Sequence, residues 1–263
     1  MSSVAIQGNA SGAGVFTIAS PNSASSYTAT LPQQTGTLVS GTSAANAVIP
    51  AGTTAIAPVL LTSGTNLTSA TAGALEYDGK VVYATPQGTQ RGVVPGAQFY
   101  RLNADLVGAN ATGAQNILGV GVTLSSSTVY VFEMYFVLTK SAGATSRIVS
   151  ISFGGTATLN NIAYGGLAGG GNSAYPPGLM GSASSFEYNS AAAVTLSGAS
   201  TATTQTLSQT FHGTVSVNAG GTFIPQYSLS AAPGGAFSTV AGSYMLIYPI
   251  SASGGATNVG TWA

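Results

Sequence analysis

"TVYVFEMYFVLTK", residues 128–140, carries large apolar side chains at both alternations of its length. A strand with one face in water reads as a strict apolar/polar alternation; one that is apolar at both parities belongs at the centre of a sheet, covered on each side. Glu133, the acid in this stretch, is then expected to be either paired or at an interface. The neighbouring segments carry the same signal. "ILGVGVTL", "RIVSISFGG", "FEYN", "AVTLS", "LSQTFHGTVSVN", "TFIPQYSLSA" and "SYMLIYPIS" are strand-like pieces separated by Gly, Asn, Ser or Pro turns. No sustained i, i+3, i+4, i+7 apolar pattern occurs anywhere in the chain. The reading is all-β: residues 96–263 form a β-sandwich with a jelly-roll-like topology. "VNAGG" (217–221) joins two of its strands, and Pro225 is expected to make part of the second an edge or a bulge.

Composition agrees with a packed protein. The 263 residues are 44% hydrophobic with formal net charge 0, whereas disorder combines low hydrophobicity with high net charge. Only 4% of residues are charged, against about 25% in an average globular chain. Five Lys and Arg in a neutral chain give no electrostatic footprint for a phosphate backbone or an anionic membrane surface, so neither nucleic acid nor membrane is expected as a partner. The opening "MSSVAIQGNASG" lacks the pattern of a secretion signal, and no apolar run approaches the roughly 18 residues of a membrane span. Absence of cysteine removes disulfides and thiolate chemistry.

The charges are unevenly placed. Residues 1–75 and 188–263 hold none, while 76–105 hold Glu76, Asp78, Lys80, Arg91, Arg101 and Asp105. The uncharged beginning contains short alternating pieces, "VFTIA" (15–19) and "YTATLP" (27–32), that cannot bury themselves. It reads either as an extended arm (1–74) packed against the same segment of other copies or as a flexible linker; the lack of charge favours the arm. Its candidate interface residues, toward copies or a particle, are Val15, Phe16, Ile18, Tyr27 and Leu31. A hairpin and connector (75–95) follow. In them "ALEY" and "KVVYA" flank Asp78-Gly79, read as a type I′ turn that sets Tyr77 opposite Lys80 and Glu76 opposite Val81. The charges either fix the register at this junction, through pairs such as Glu76 or Asp78 with Arg91 or Arg101, or keep the hairpin soluble.

Groups able to perform chemistry are few. His212, the single histidine, has no second ligand at metal-binding spacing and reads as structural. No G-x-S-x-G elbow occurs. Glu76 and Asp78 lack the cleft that a glycosidase pair needs. "GGLAGGGN" (165–172) is followed by no Lys-Ser/Thr and reads as a loop. The sequons at Asn9, Asn66 and Asn110 are what a Ser/Thr-rich chain contains by chance. No catalytic, cofactor-binding or metal-binding residue is therefore assigned. Tyr164, Tyr175, Phe186 and Tyr188 surround the longest stretch read as irregular, and either cap the core or form a ligand platform; as a ligand site the candidates are Tyr164, Tyr175 and Tyr188.

"GNASGAGVFTIASPNSASSYTATLPQQTGTLVS" (8–40) resembles the G-N-x-S-G-x-G…T-x-T-L-P-x-x-T-G-T-L-V element of tail-fibre, head-fibre and capsid-decoration proteins of tailed bacteriophages. "TAGALEYDGKVVYATPQGTQRGVVP" is similar to the hairpin and junction that follow it there. This resemblance covers residues 8–95. It implies a non-enzymatic virion protein, made in the host cytoplasm and carried on the particle surface. A homotrimer is implied, with an arm that attaches to the major capsid protein or another virion protein and an outward sandwich. The chain lacks a long repetitive shaft, which favours a capsid decoration (cement or head-fibre) protein. The alternative is a tail-fibre or receptor-binding protein that recognises a host surface glycan.

Overall fold

A computed structural model describes residues 49, 51–171 and 184–262. The chain divides into two compact units, 1–59 and 60–263. In the first, described over 49 and 51–59, the Thr53 hydroxyl accepts the N–H groups of Ala55 and Ile56 and closes a short turn. The interface candidates Val15, Phe16, Ile18, Tyr27 and Leu31 lie outside the described residues.

Among the described residues of the second unit the regular structure is all strand. In chain order the strands are β1 (Leu75–Tyr77), β2 (Val82–Ala84), β3 (Gly92–Val94), β4 (Gln98–Arg101), β5 (Leu106–Val107), β6 (Gln115–Asn116), β7 (Val122–Leu124) and β8 (Thr128–Lys140). They continue with β9 (Val149–Gly154), β10 (Thr158–Gly171), β11 (Ser184–Tyr188), β12 (Val194–Thr195), β13 (Gln205–Ala219), β14 (Gly221–Leu229), β15 (Ser238–Thr239) and β16 (Tyr244–Ala252). β1 to β3 form a small antiparallel sheet. An eight-stranded antiparallel sheet runs β11-β10-β13-β8-β15-β5, with β16 between β8 and β4, and a five-stranded sheet is built on β9 and β14.

The two larger sheets meet face to face as a sandwich. Phe132, Met134 and Phe136 on β8, Phe211 and Val215 on β13 and Tyr164 on β10 enter one core with Ile151, Phe153, Phe223 and Tyr227 of the other sheet. Burying such side chains stabilises by about 1.5–3 kcal/mol each, so this double layer is what holds the unit together. The central position expected for 128–140 is found, since β8 pairs with β13 over its whole length and with β16 on its other edge. Cover on each side is not. The even-numbered residues from Thr128 to Lys140 are all buried, whereas Val131, Glu133, Tyr135, Val137 and Thr139 are half-buried or exposed.

Four further differences have local causes. The β1–β2 register pairs Tyr77 with Val82 and Glu76 with Tyr83, so Gly79-Lys80 forms the two-residue loop instead of Asp78-Gly79. Gly79 supplies the positive φ (90°), while the Asp78 carboxylate, just past the end of β1, accepts the N–H groups of Lys80 and Val81, both at 2.8 Å. "GGLAGGG" is the second half of β10, paired with β13 and not a loop, because the β13 ladder supplies partners for its backbone. Pro225 sits in a central strand: it faces Phe153 of β9, and on the other side the pairing is interrupted between β7 and β6, where a missing N–H is tolerated. Residues 60–74, expected with the arm, bond to the hairpin instead, through Gly64 N–H to Tyr77 O, Leu67 N–H to the Glu76 carboxylate and Gly73 N–H to Thr85 O.

Candidate functional site

The charge cluster resolves into separate structural roles. Glu76 takes a fork from Arg91, Nε to Oε2 at 2.8 Å and Nη2 to Oε1 at 3.1 Å, and Arg91 also donates to Leu67 O. The Arg91 hydrogen bond and the Leu67 N–H hold the Glu76 carboxyl below its ordinary value. Burial works to raise Asp78, but the N–H groups of Val81 and Lys80 and the Tyr83 hydroxyl together keep it low. Burial and this carboxylate push the Tyr83 phenol up to about 12. Of the expected partners, Arg91 is engaged and Arg101 is not; Arg101 donates to Asn103. Both members of the ion pair belong to the hairpin sheet and its flank. The tie from hairpin to sandwich is Lys80, whose ammonium donates to Ser126 O and Thr128 Oγ1.

Two cations are buried at the end of β8. Lys140 is 3% exposed and Arg147 1%. The Lys140 ammonium donates to the carbonyls of Ala142, Gly143, Ala202 and Thr203. Arg147 donates to Ala202 O and to Gln205 Oε1, and lies 5.7 Å from the centre of the Phe237 ring. Burial, then the nearby Arg147 charge, pull Lys140 below its ordinary value, and burial alone does the same to Arg147. Caged by carbonyls, the two side chains staple loop 141–147 to 202–205. One signal was legible: Lys140 falls on the same parity as Phe132, Met134, Phe136 and Leu138.

Of the tyrosine candidates, Tyr164 points into the protein. Tyr164 is 4% exposed, donates to Ser190 O at 3.3 Å and is pushed up by burial. Tyr188 packs against it at 5.8 Å between ring centres and donates to Thr195 O. Tyr175 lies outside the described residues. Tyr164 belongs to the core and Tyr188 packs against it, half-buried.

The solvent face of the eight-stranded sheet gathers what the sequence scattered. Cross-strand pairing sets Phe99, Leu246, Glu133, His212, Gly165 and Glu187 in one row across six strands. Glu133 is paired: the Tyr244 hydroxyl donates to it at 2.9 Å. That bond is the main cause raising the Tyr244 phenol, ahead of burial. Phe99, Tyr244 and Tyr135 form an aromatic string, with ring centres 5.6 and 6.2 Å apart. His212 is exposed and not a core histidine. Gly165 carries no side chain, so a cleft of about 630 Å³ opens over it, bordered by Ala163, Tyr164, Glu187, Tyr188, Asn189 and His212. Among the described residues no set of three or more His, Asp or Glu side chains converges as metal ligands would, and no helix is long and apolar enough to cross a membrane.

Compared with protein-family models, with curated proteins and with solved structures, the chain matches none.

Proposed function

We propose that this chain is a non-enzymatic virion structural protein of a tailed bacteriophage: a homotrimeric capsid decoration protein that braces the shell and displays its sandwich outward. The carrying observation is the join between an uncharged N-terminal segment, bearing the fibre-like and decoration-like element at 8–40, and a separately compact β unit beginning at residue 60. A segment without charge and with alternating apolar pieces gains stability only by burying them against something else, and binding of that kind stabilises a shell by mass action. The sandwich is read as a jelly roll. Support lies in its neighbours, since β16, β8, β13 and β10 lie side by side though far apart in the chain.

The test is occupancy on particles lacking the protein. Full-length trimer is expected to restore them to full occupancy and raise their resistance to heat, while a version without residues 1–59 stays folded and unbound. Full occupancy by the truncated version would place the anchor elsewhere. A second reading, recognition of a host surface glycan, is favoured by the open cleft over Gly165, where a carboxylate, an imidazole and an amide could meet hydroxyl groups.

A further inference from the structure

The solvent face of the eight-stranded sheet carries exposed and half-buried apolar side chains in one continuous surface. Phe99 is 60% exposed and Leu167 57%, at opposite sides of the face, and Tyr135, Tyr244, Leu246 and Val131 lie half-buried between them. Exposed patches of this kind mark interaction sites, and Tyr and Phe are enriched at interface centres. The face is also large. Six strands at about 4.8 Å spacing span about 24 Å. With β8 and β13 paired over thirteen positions, at about 3.4 Å per residue, the area is on the order of 1,000 Å². Each partner of a standard-size interface contributes about 800 Å².

Charge selects the occupant. The charged side chains on the face are Arg101, Glu133 and Glu187, and Glu133 is already held by Tyr244. Arg101 sits on β4 at one edge of this part of the sheet and Glu187 on β11 at the other. With Arg101 at one edge and Glu187 at the opposite edge, the aromatic Arg101 side of one copy can meet the Glu187 side of the next, a heterologous contact that closes into a ring where the rotation between copies closes. The chain has no net charge, so copies do not repel.

We propose that this face, from Phe99 across Tyr135 to Glu187, seats a second copy of the same chain, with Arg101 of one subunit meeting Glu187 of the next. The inference rests on the homotrimer reading and adds the sandwich to the arm as a source of assembly. It also closes the cleft over Gly165, so it stands against the glycan reading.

The chain has no cysteine, so an introduced thiol is the only one. Thr210→Cys puts it on an exposed position of the face, opposite Tyr135. Ser141→Cys puts it on an exposed loop after β8. Maleimide labelling of both full-length variants is compared under native conditions and in urea, with mass measured by light scattering. In a trimer the Thr210→Cys thiol is expected to react at least about tenfold more slowly than the Ser141→Cys thiol, with equal rates in urea. Equal native rates in a trimer would overturn the interface and leave the trimer standing; equal rates in a monomer would overturn both. Protection of the Thr210→Cys thiol in a monomer would assign the face to a segment of the same chain and reject the second copy. Arg101→Glu and Glu187→Arg should each weaken the assembly and together restore it. Failure of the double variant to recover would reject the head-to-tail arrangement.

Discussion

Phe132→Ala is expected to destabilise the 60–263 unit by about 4 kcal/mol. The Phe132 ring is fully buried, with 0% exposure, and it bridges the two sheets edge-on: ring centres lie 5.5 Å from Phe153 and 6.0 Å from Phe223, both across the interface. Returning such a side chain to water forgoes about 1.5–3 kcal/mol. Each lost ring pair adds about 0.5–1.5 kcal/mol. The sum, about 2.5–6 kcal/mol, is centred near the roughly 3–5 kcal/mol found for buried Phe→Ala changes, where the cavity also contributes. In a unit of this size that corresponds to a fall of about 8–16 °C in melting temperature. The assay is urea unfolding of the full chain followed by tyrosine fluorescence, parent and variant at one protein concentration, because assembly makes midpoints concentration-dependent. Phe132→Leu keeps most of the volume and should lose less than about 1.5 kcal/mol. An alanine variant within about 1.5 kcal/mol of the parent would refute the claim that this ring wedges the sheets together.

At Gly213 an added Cβ would meet Ala163 O and the backbone and Cβ of Tyr164, whereas at Gly198 it would meet nothing; Gly213→Ala should therefore cost about 1–3 kcal/mol in urea unfolding and Gly198→Ala close to none. Because Arg91 holds Glu76 below its ordinary value near 4.5 in the folded chain, the unfolded chain takes the proton first as pH falls. The pair's stabilisation is thus present above pH 4.5 and lost below it, and Glu76→Gln should flatten the midpoint-versus-pH curve between about pH 5 and 3; an unchanged slope would show that other acids set it. Asp78→Ala removes the acceptor for Lys80 N–H, Val81 N–H and the Tyr83 hydroxyl. It should cost about 1–3 kcal/mol, with faster hydrogen exchange at Lys80 and Val81 as the local check.

Strand character is a local property, and it was legible. The side chains of 128–140, 205–219 and 244–252 alternate or run apolar with the period of a strand, glycine and proline punctuate them, and no helical period competes, so all-β architecture followed from neighbours two residues apart. The hairpin at 75–84 was visible from Asp78-Gly79 for the same reason. Its register was not, because the pairing depends on where the Asp78 carboxylate finds its donors, one residue away from the simplest turn. Other features depend on partners far along the chain. "GGLAGGG" has no strand signal of its own and is ordered by the β13 ladder. Tyr164 is buried because Phe153 of the opposing sheet packs against its ring. Lys140 and Arg147 enter the interior because carbonyls contributed by 142–145 and 202–203 surround them. Phe99, Glu133, His212 and Glu187 come from four separate segments and share a face only through cross-strand register. Alternation is written within each strand, whereas which strands become neighbours, and so which side chains meet, is set by pairings between residues as far apart in the chain as Gln98 and Ile247.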